Sequence, residues 1–143
     1  MSKRELVERW FGDFWERGDF SALDTLLAPS LDTNDLLDGL TTPRRDFPQL
    51  VEIIHQLIGK PRIEILLFLE DGDWTTTRYV MRSDGPDGGT PLSVEGITLI
   101  RFEGDKIAEL SSKFDSFTLF EQLGQLPPEA LVACLSGNSL TWA

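Results

Sequence analysis

The chain has 143 residues, of which 41% are hydrophobic, and this is enough apolar material for one core without disulfide or metal support. We therefore expect a single domain over residues 1–143. Acidic side chains outnumber basic ones by 24 to 13, which gives a formal net charge of -11. Because such a surface repels phosphate groups, binding to nucleic acid or to an anionic membrane surface is disfavoured.

The single cysteine, Cys134, has no partner for an internal disulfide. Residues 1–15 do not show the charged region followed by an apolar segment that is typical of a signal peptide. The longest apolar run, residues 63–69 with Glu64 inside it, is far shorter than the roughly 20 residues that a membrane-spanning helix requires. These features predict a cytoplasmic protein without a transmembrane segment.

The chain opens with a strong helix signal. Ser2 and Glu5 have the spacing of a capping box, in which each side chain bonds the backbone amide of the other residue. Apolar residues then recur at helical spacing up to about Arg17, and Gly18 is expected to end the helix. The apolar positions are Leu6, Val7, Trp10, Phe11, Phe14 and Trp15.

Two further helices are predicted before residue 62. Asp19 is expected to cap a short second helix that stops near Pro29. The third helix begins after Asp46 and ends at Gly59, with an apolar stripe on one side. The intervening residues 30–43 have no clean period, so we interpret them as a loop with at most one helical turn.

The pattern changes to β-rich segments after residue 61. The predicted strands cover residues 62–70, 74–82, 92–103 and 106–117, and short turn clusters separate them. Short turns imply antiparallel neighbours, and two short helices at 119–123 and 128–135 close the chain. Helices followed by a meander of long strands predict an α+β fold in which helices cover one face of an antiparallel sheet.

Three segments in this order resemble the SnoaL-like polyketide cyclases of the nuclear transport factor two-like superfamily. They are the aromatic helix that ends in Arg17-Gly18-Asp19-Phe20, the hairpin at residues 100–109, and the tail at residues 115–124. The resemblance implies a cone-shaped curved sheet wrapped around the first helix and a small-molecule pocket inside the cone. It also implies frequent homodimerisation through the outer face of the sheet.

The resemblance implies a general acid/base at Asp115, just after the Ile-x-Glu segment of the last strand. Members that act as cyclases, isomerases or dehydratases place carboxylates or histidines in an apolar pocket. Burial disfavours the charged carboxylate and raises its pKa, so that it exchanges protons with a carbon acid near neutral pH. Phe114 and Phe117 would supply the apolar setting. The alternative is that Asp115 caps the helix that begins near Ser116.

Arg78 and Glu95 are candidate assistants to Asp115. Arg78 shares one face of its strand with Trp74, and a cation there needs a carboxylate partner or a ligand oxygen. Its alternative role is a structural salt bridge with Glu95 or Asp115. Glu95 faces either the cavity or the solvent, depending on the strand register.

Aromatic and acidic residues are candidates for ligand binding. Trp10, Phe14 and Trp74 would contact a hydrophobic ring system, although an aromatic stripe at helical spacing also suits a plain core. Asp32 and Asp35 lie where SnoaL-like proteins often carry a polar residue at the pocket rim, commonly a histidine. A solvated acidic loop is the alternative. The only histidine, His55, falls on the third helix, where a structural role is expected.

Two functions are compatible with these features. The first is an enzyme that acts on a small hydrophobic carbonyl compound by proton transfer, as a cyclase, isomerase or dehydratase. The second is a noncatalytic module for small-ligand binding or dimerisation. No cofactor and no metal are expected, because no set of ligand side chains has metal spacing and the glycine-rich residues 85–89 lack the lysine of a phosphate-binding loop.

Overall fold

The computed structural model describes residues 1–31, 33–37 and 40–141, and for residues 33–37 it describes the backbone alone. The helices are α1 (Lys3–Arg9), a π-helical continuation (Trp10–Glu16), α2 (Ala22–Leu26), a 3-10 turn (Arg44–Asp46), α3 (Phe47–Ile58), α4 (Ser116–Gln122) and α5 (Ala130–Leu135). The strands are β1 (Thr33–Leu37), β2 (Leu40–Pro43), β3 (Arg62–Asp71), β4 (Trp74–Ser83), β5 (Leu92–Glu103) and β6 (Lys106–Phe114). None of the helices in these ranges combines the length and apolar character needed to cross a bilayer.

The N-terminal helix begins as the sequence predicts. The backbone amide of Glu5 donates to Ser2 Oγ at 3.1 Å, and Gly18 ends the helix with a φ of 65°. The second half of the helix, Trp10–Glu16, is a π-helix, in which amides bond carbonyls five residues back. Its aromatic side chains reach two different environments, because residues at adjacent positions point in different directions around the helix axis.

The second helix is capped differently from the prediction. Ser21 occupies the N-cap position of α2, and Asp19 instead accepts hydrogen bonds from the amide of Ser21 at 3.2 Å and from its hydroxyl at 2.6 Å. A short aspartate side chain readily makes this local turn two residues ahead of itself. Asp46 holds the N-cap position of α3 without a side-chain capping bond, and Gly59 ends α3 with a φ of 80°.

All six strands form one sheet in the order β2-β1-β6-β5-β4-β3. The four long strands are antiparallel neighbours, as predicted, and β6 ends at Phe114, before the predicted residue 117, because Asp115 starts α4. The prediction of a loop at residues 30–43 is wrong. β1 and β2 form an antiparallel hairpin there, and β1 pairs in parallel with β6 at Asp35 and Ser111.

The two faces of the sheet differ in burial. On β5, Val94, Thr98 and Ile100 point inward against the helices, whereas Ile97 and Leu99 are exposed on the outer face. The core is thus built between the inner face and the helical layer, and its largest fully buried side chains are Trp10, Phe14, Phe47 and Phe102. This is the predicted α+β architecture, with helices packed on one face of a curved sheet.

Candidate functional site

A cavity of about 50 Å³ lies between the helical layer and the inner face of the sheet. Its helical side is formed by Phe11, Trp15, Ile54, Ile58 and Leu119. Its sheet side and edge are formed by Pro61, Ile63, Tyr79, Met81, Thr98, Ser112 and Phe114. The lining is therefore mainly aromatic and aliphatic, with hydroxyl groups as the polar side chains.

The π-helix places two aromatic side chains at the cavity wall. Phe11 and Trp15 line the cavity, and the ring centroid of Phe11 lies 4.9 Å from that of Tyr79. The Trp15 carbonyl oxygen accepts a hydrogen bond of 2.6 Å from His55 Nε2, which ties α3 to the helix. Glu16 Oε1 accepts a hydrogen bond from the Ile63 amide at 2.6 Å and anchors the start of β3. His55 thus has the structural role predicted for it.

Asp13 forms ion pairs with two arginines along the π-helical segment. Asp13 lies between Arg17 and Arg9, and Arg9 Nε lies 3.3 Å from Asp13 Oδ2. The hydrogen bond from Arg17 lowers the pKa of Asp13 below its ordinary value, partial desolvation opposes this, and Arg9 adds to the lowering. A charged Asp13 therefore stabilises the segment that carries Phe11 and Trp15.

Tyr79 reaches the cavity because a glycine lies opposite it. Tyr79 on β4 pairs with Gly96 on β5, and both face inward. A Cβ atom at Gly96 would lie 2.6 Å from Tyr79 Cζ and 3.0 Å from the Lys113 carbonyl oxygen. Both distances are shorter than van der Waals contact. The missing side chain at Gly96 thus leaves the space that the Tyr79 ring fills.

The polar groups of the cavity are hydroxyls. Thr98 Oγ1 and Ser112 Oγ lie 3.2 Å apart and share one hydrogen bond, and both residues are buried. The lining residues include no charged side chain. Such a cavity accommodates an uncharged apolar group and offers hydrogen bonds to a neutral oxygen. Among the described residues, no cluster of histidine, cysteine and carboxylate side chains could hold a metal ion.

The predicted catalytic residues come together outside this cavity. Arg78 Nη2 lies 2.7 Å from Glu95 Oε1, which is the structural salt bridge considered for Arg78. Glu95 faces solvent, because the register turns Val94 and Thr98 inward. Glu95 and Asp115 border a shallow surface depression together with Arg82 and neither lines the cavity.

Asp115 caps α4, as the alternative interpretation holds. Its Oδ1 accepts from the Thr118 amide at 3.1 Å, and its Oδ2 accepts from the Thr118 hydroxyl at 2.6 Å. The side chain is exposed, whereas its neighbour Phe114 lines the cavity. The apolar setting predicted for Asp115 therefore surrounds Phe114 instead, because adjacent residues at the end of a strand point in opposite directions.

The three aromatic residues predicted to bind a ligand also lie away from the cavity. Trp10 and Phe14 stack in the core with ring centroids 4.4 Å apart, and Trp74 lies on the outer face of the sheet with 38% of its surface exposed. Asp35 belongs to β1, where only the backbone is described, and Asp32 lies outside the described residues.

Sequence reasoning missed the hydroxyls of Tyr79, Thr98 and Ser112. The signal available for them was strand alternation, which places all three on the inner face once Val94 is known to point inward.

A helical layer on the inner face of a curved sheet, with an apolar cavity between them, defines a small α+β protein of the ketosteroid isomerase-like fold. Residues 7–110 match the model of the SnoaL-like domain, and the chain belongs to this family. No protein with a curated description matches the sequence.

Solved structures share the fold at low sequence identity. AclR, a proposed hydroxylase from Streptomyces galilaeus, has a TM-score of 0.73 at 18% identity, over 94% of this chain and 89% of AclR. A proposed polyketide cyclase from Acidithiobacillus ferrooxidans has a TM-score of 0.70 at 18% identity, over 87% of this chain and 99% of its own. An epoxide hydrolase from M. tuberculosis has a TM-score of 0.62 at 18% identity, over 94% and 95% of the two chains.

Proposed function

We propose that the protein binds a small, uncharged and mainly apolar molecule in the cavity between the π-helix and the sheet. The observation that carries the proposal is the lining, which combines aromatic and aliphatic walls with hydroxyl groups and has no charged side chain. Burying a charge there without a partner would be strongly unfavourable. A carbonyl compound with an apolar body suits these walls, and relatives of similar fold include proposed polyketide cyclases.

The size of the cavity limits what enters it without rearrangement. Its volume of about 50 Å³ is about a third of the roughly 150 Å³ of an engineered protein cavity that binds benzene. A ring-sized ligand therefore requires side chains at the cavity wall to move. Ile54 and Ile63 are partly exposed cavity residues, so they can yield at a lower energetic cost than the fully buried core.

Acetophenone is a suitable probe, because it joins an aromatic ring to one carbonyl group. Titration followed by NMR should perturb the methyl signals of Ile54, Ile58 and Ile63. Ile54→Phe should fill the cavity and abolish binding, whereas Leu131→Phe on exposed α5 should leave the affinity unchanged. Circular dichroism verifies that both variants fold. Perturbations elsewhere, or unchanged binding by folded Ile54→Phe, would count against the cavity as the binding site.

A second candidate function is proton transfer on a carbonyl compound at the surface depression, with Asp115 as acid/base and Glu95 and Arg78 assisting. It is favoured by the meeting of two carboxylates and Arg82 in one depression, with Arg78 paired to Glu95. An arginine next to the reacting group would stabilise an enolate oxygen.

Deuterium exchange at the methyl group of acetophenone in D₂O tests this chemistry without a known substrate. If Asp115 is the acid/base, Asp115→Asn should slow the protein-dependent exchange by about a hundredfold or more. Asp71→Asn, which changes an exposed carboxylate at the end of β3, should not affect the rate. Equal rates for wild type and Asp115→Asn would leave Asp115 as a helix cap only.

We also propose that the outer face of the sheet mediates homodimerisation. Exposed apolar side chains lie on both sides of β4 on this face, with Leu69 on β3 and Leu99 on β5 both paired to Thr76, and Leu67 on β3 and Ile97 on β5 both paired to Arg78. Several large apolar side chains exposed on one face of a sheet typically mark a protein interface. Light scattering should find a dimer for the wild type and a monomer for Leu99→Asp. Leu135→Asp on α5 is the matched control, and a Leu99→Asp dimer would exclude this face.

A further inference from the structure

Three hydroxyl side chains form a row across the inner face of the sheet. Thr77 on β4 is paired with Thr98 on β5, and Thr98 is paired with Ser112 on β6. Their residues are only 0%, 1% and 6% exposed. Thr98 and Ser112 line the cavity, and Thr77 lies beside them in the same row, here called the hydroxyl row.

The hydroxyl row has more hydrogen-bonding groups than its own members can use. Each hydroxyl carries one donor and two acceptor sites. Thr98 and Ser112 share a single hydrogen bond, so whichever of them donates, the O–H of the other has no partner within the described residues. Thr77 Oγ1 is buried and has no hydrogen-bond partner in the same part of the structure. Buried polar groups are usually paired, so an unpaired donor at a cavity wall points to a partner from outside the chain.

We propose that the hydroxyl row binds the neutral carbonyl oxygen of the ligand. This inference rests on the proposed ligand-binding function and specifies the ligand class as ketones and aldehydes with an apolar body. The unpaired O–H of the Thr98–Ser112 pair donates to the carbonyl oxygen, which only accepts. The apolar body then extends toward Phe11 and Trp15 on the opposite wall. A carboxylate is excluded, because the lining has no cation to pair with it.

The test compares acetophenone with α-methylstyrene, in which a CH₂ group replaces the carbonyl oxygen and the shape is nearly unchanged. Affinities of both probes are measured by NMR titration for the wild type and for the double variant Thr98→Val, Ser112→Ala. The control variant is Thr76→Val, which makes the same kind of change on the outer side of β4. Thermal unfolding verifies that each variant is folded, and if the double variant is not, the test is whether the wild type binds acetophenone more tightly than α-methylstyrene.

We expect the double variant to bind acetophenone about three- to tenfold more weakly, which is the contribution of one hydrogen bond. The affinity for α-methylstyrene should stay within about twofold of wild type, because no hydrogen bond is lost. Thr76→Val should change neither affinity.

The contrary outcomes separate this inference from the proposed function. The double variant could bind both probes with equally reduced affinity, or bind acetophenone as tightly as the wild type does. Either result would mean that the hydroxyl row does not recognise the carbonyl oxygen, although the cavity still binds ligand. If neither probe binds the wild type, the proposed function fails, and this inference fails with it.

Discussion

The substitution Gly96→Ala tests the packing that shapes the cavity. The added Cβ would lie 2.6 Å from Tyr79 Cζ and 3.0 Å from the Lys113 carbonyl oxygen, whereas carbon atoms in contact are normally about 3.5–4.0 Å apart. The Tyr79 ring must therefore move by about 1 Å, and Phe11 packs against it with centroids 4.9 Å apart. Overpacking of this kind lowers the free energy of unfolding by about 1–3 kcal/mol.

Urea denaturation followed by tryptophan fluorescence measures the loss. Gly89→Ala is the matched control, because its Cβ would meet only Asp87 Oδ1 at 3.9 Å and its φ is unexceptional. We expect this control to stay within about 0.5 kcal/mol of wild type. In a Tyr79→Leu background, Gly96→Ala should be at least about 1 kcal/mol less destabilising, since the ring that it strikes is gone.

Two results would refute this reasoning about Gly96. The first is a Gly96→Ala variant as stable as Gly89→Ala, which would mean that the ring moves into the cavity without loss. The second is an equal loss with and without the Tyr79 ring, which would assign the strain to the Lys113 carbonyl instead. Acetophenone titration of Gly96→Ala then reports whether the displaced ring closes the cavity.

Other predictions concern buried and capping groups. Thr77→Val removes an unpaired buried hydroxyl, so it should raise the free energy of unfolding of the ligand-free protein by about 1 kcal/mol. A decrease in the free energy of unfolding would show that the hydroxyl is already paired. Asp115→Ala should lower it by about 1 kcal/mol through loss of the α4 cap, while a neutral effect would contradict that cap. Asp13→Asn should lower it by about 0.5–1 kcal/mol at pH 7. Arg17 lowers the pKa of Asp13 in the folded protein. The contribution of Asp13 to the free energy of unfolding is therefore complete above its unfolded-state pKa of about 3.9, and it is lost as the pH falls through the lower pKa of the folded state. A gap between wild type and Asp13→Asn that persists at lower pH would contradict this.

Local patterns were sufficient for most of the elements. The Ser2 cap, the end of the first helix at Gly18 and the four long strands are all found where periodicity and turn residues predict them. These signals depend on residues close in the chain, so no tertiary contact is needed to recognise them. β1 and β2 were missed because short polar segments become strands only when a neighbour such as β6 supplies backbone hydrogen bonds.

The sequence alone does not determine on which face of the sheet the catalytic candidates lie. The sequence of β5 is compatible with either face inward, because Val94, Thr98 and Ile100 alternate with the equally apolar pair Ile97 and Leu99. Packing of the helices on one face decided the choice and left Glu95 in solvent.

The order of the three N-terminal helices and the four long strands, the Ser2 cap and membership of the SnoaL-like family followed from the sequence by itself, because they depend on neighbouring residues and their spacing. Tertiary structure alone decided that Phe11 and Trp15, rather than Trp10 and Phe14, line the cavity. It also placed the paired hydroxyls of Thr98 and Ser112 inside. The physical reason is that the π-helical turn and the strand register are selected by packing between helices and sheet, over contacts distant in the chain.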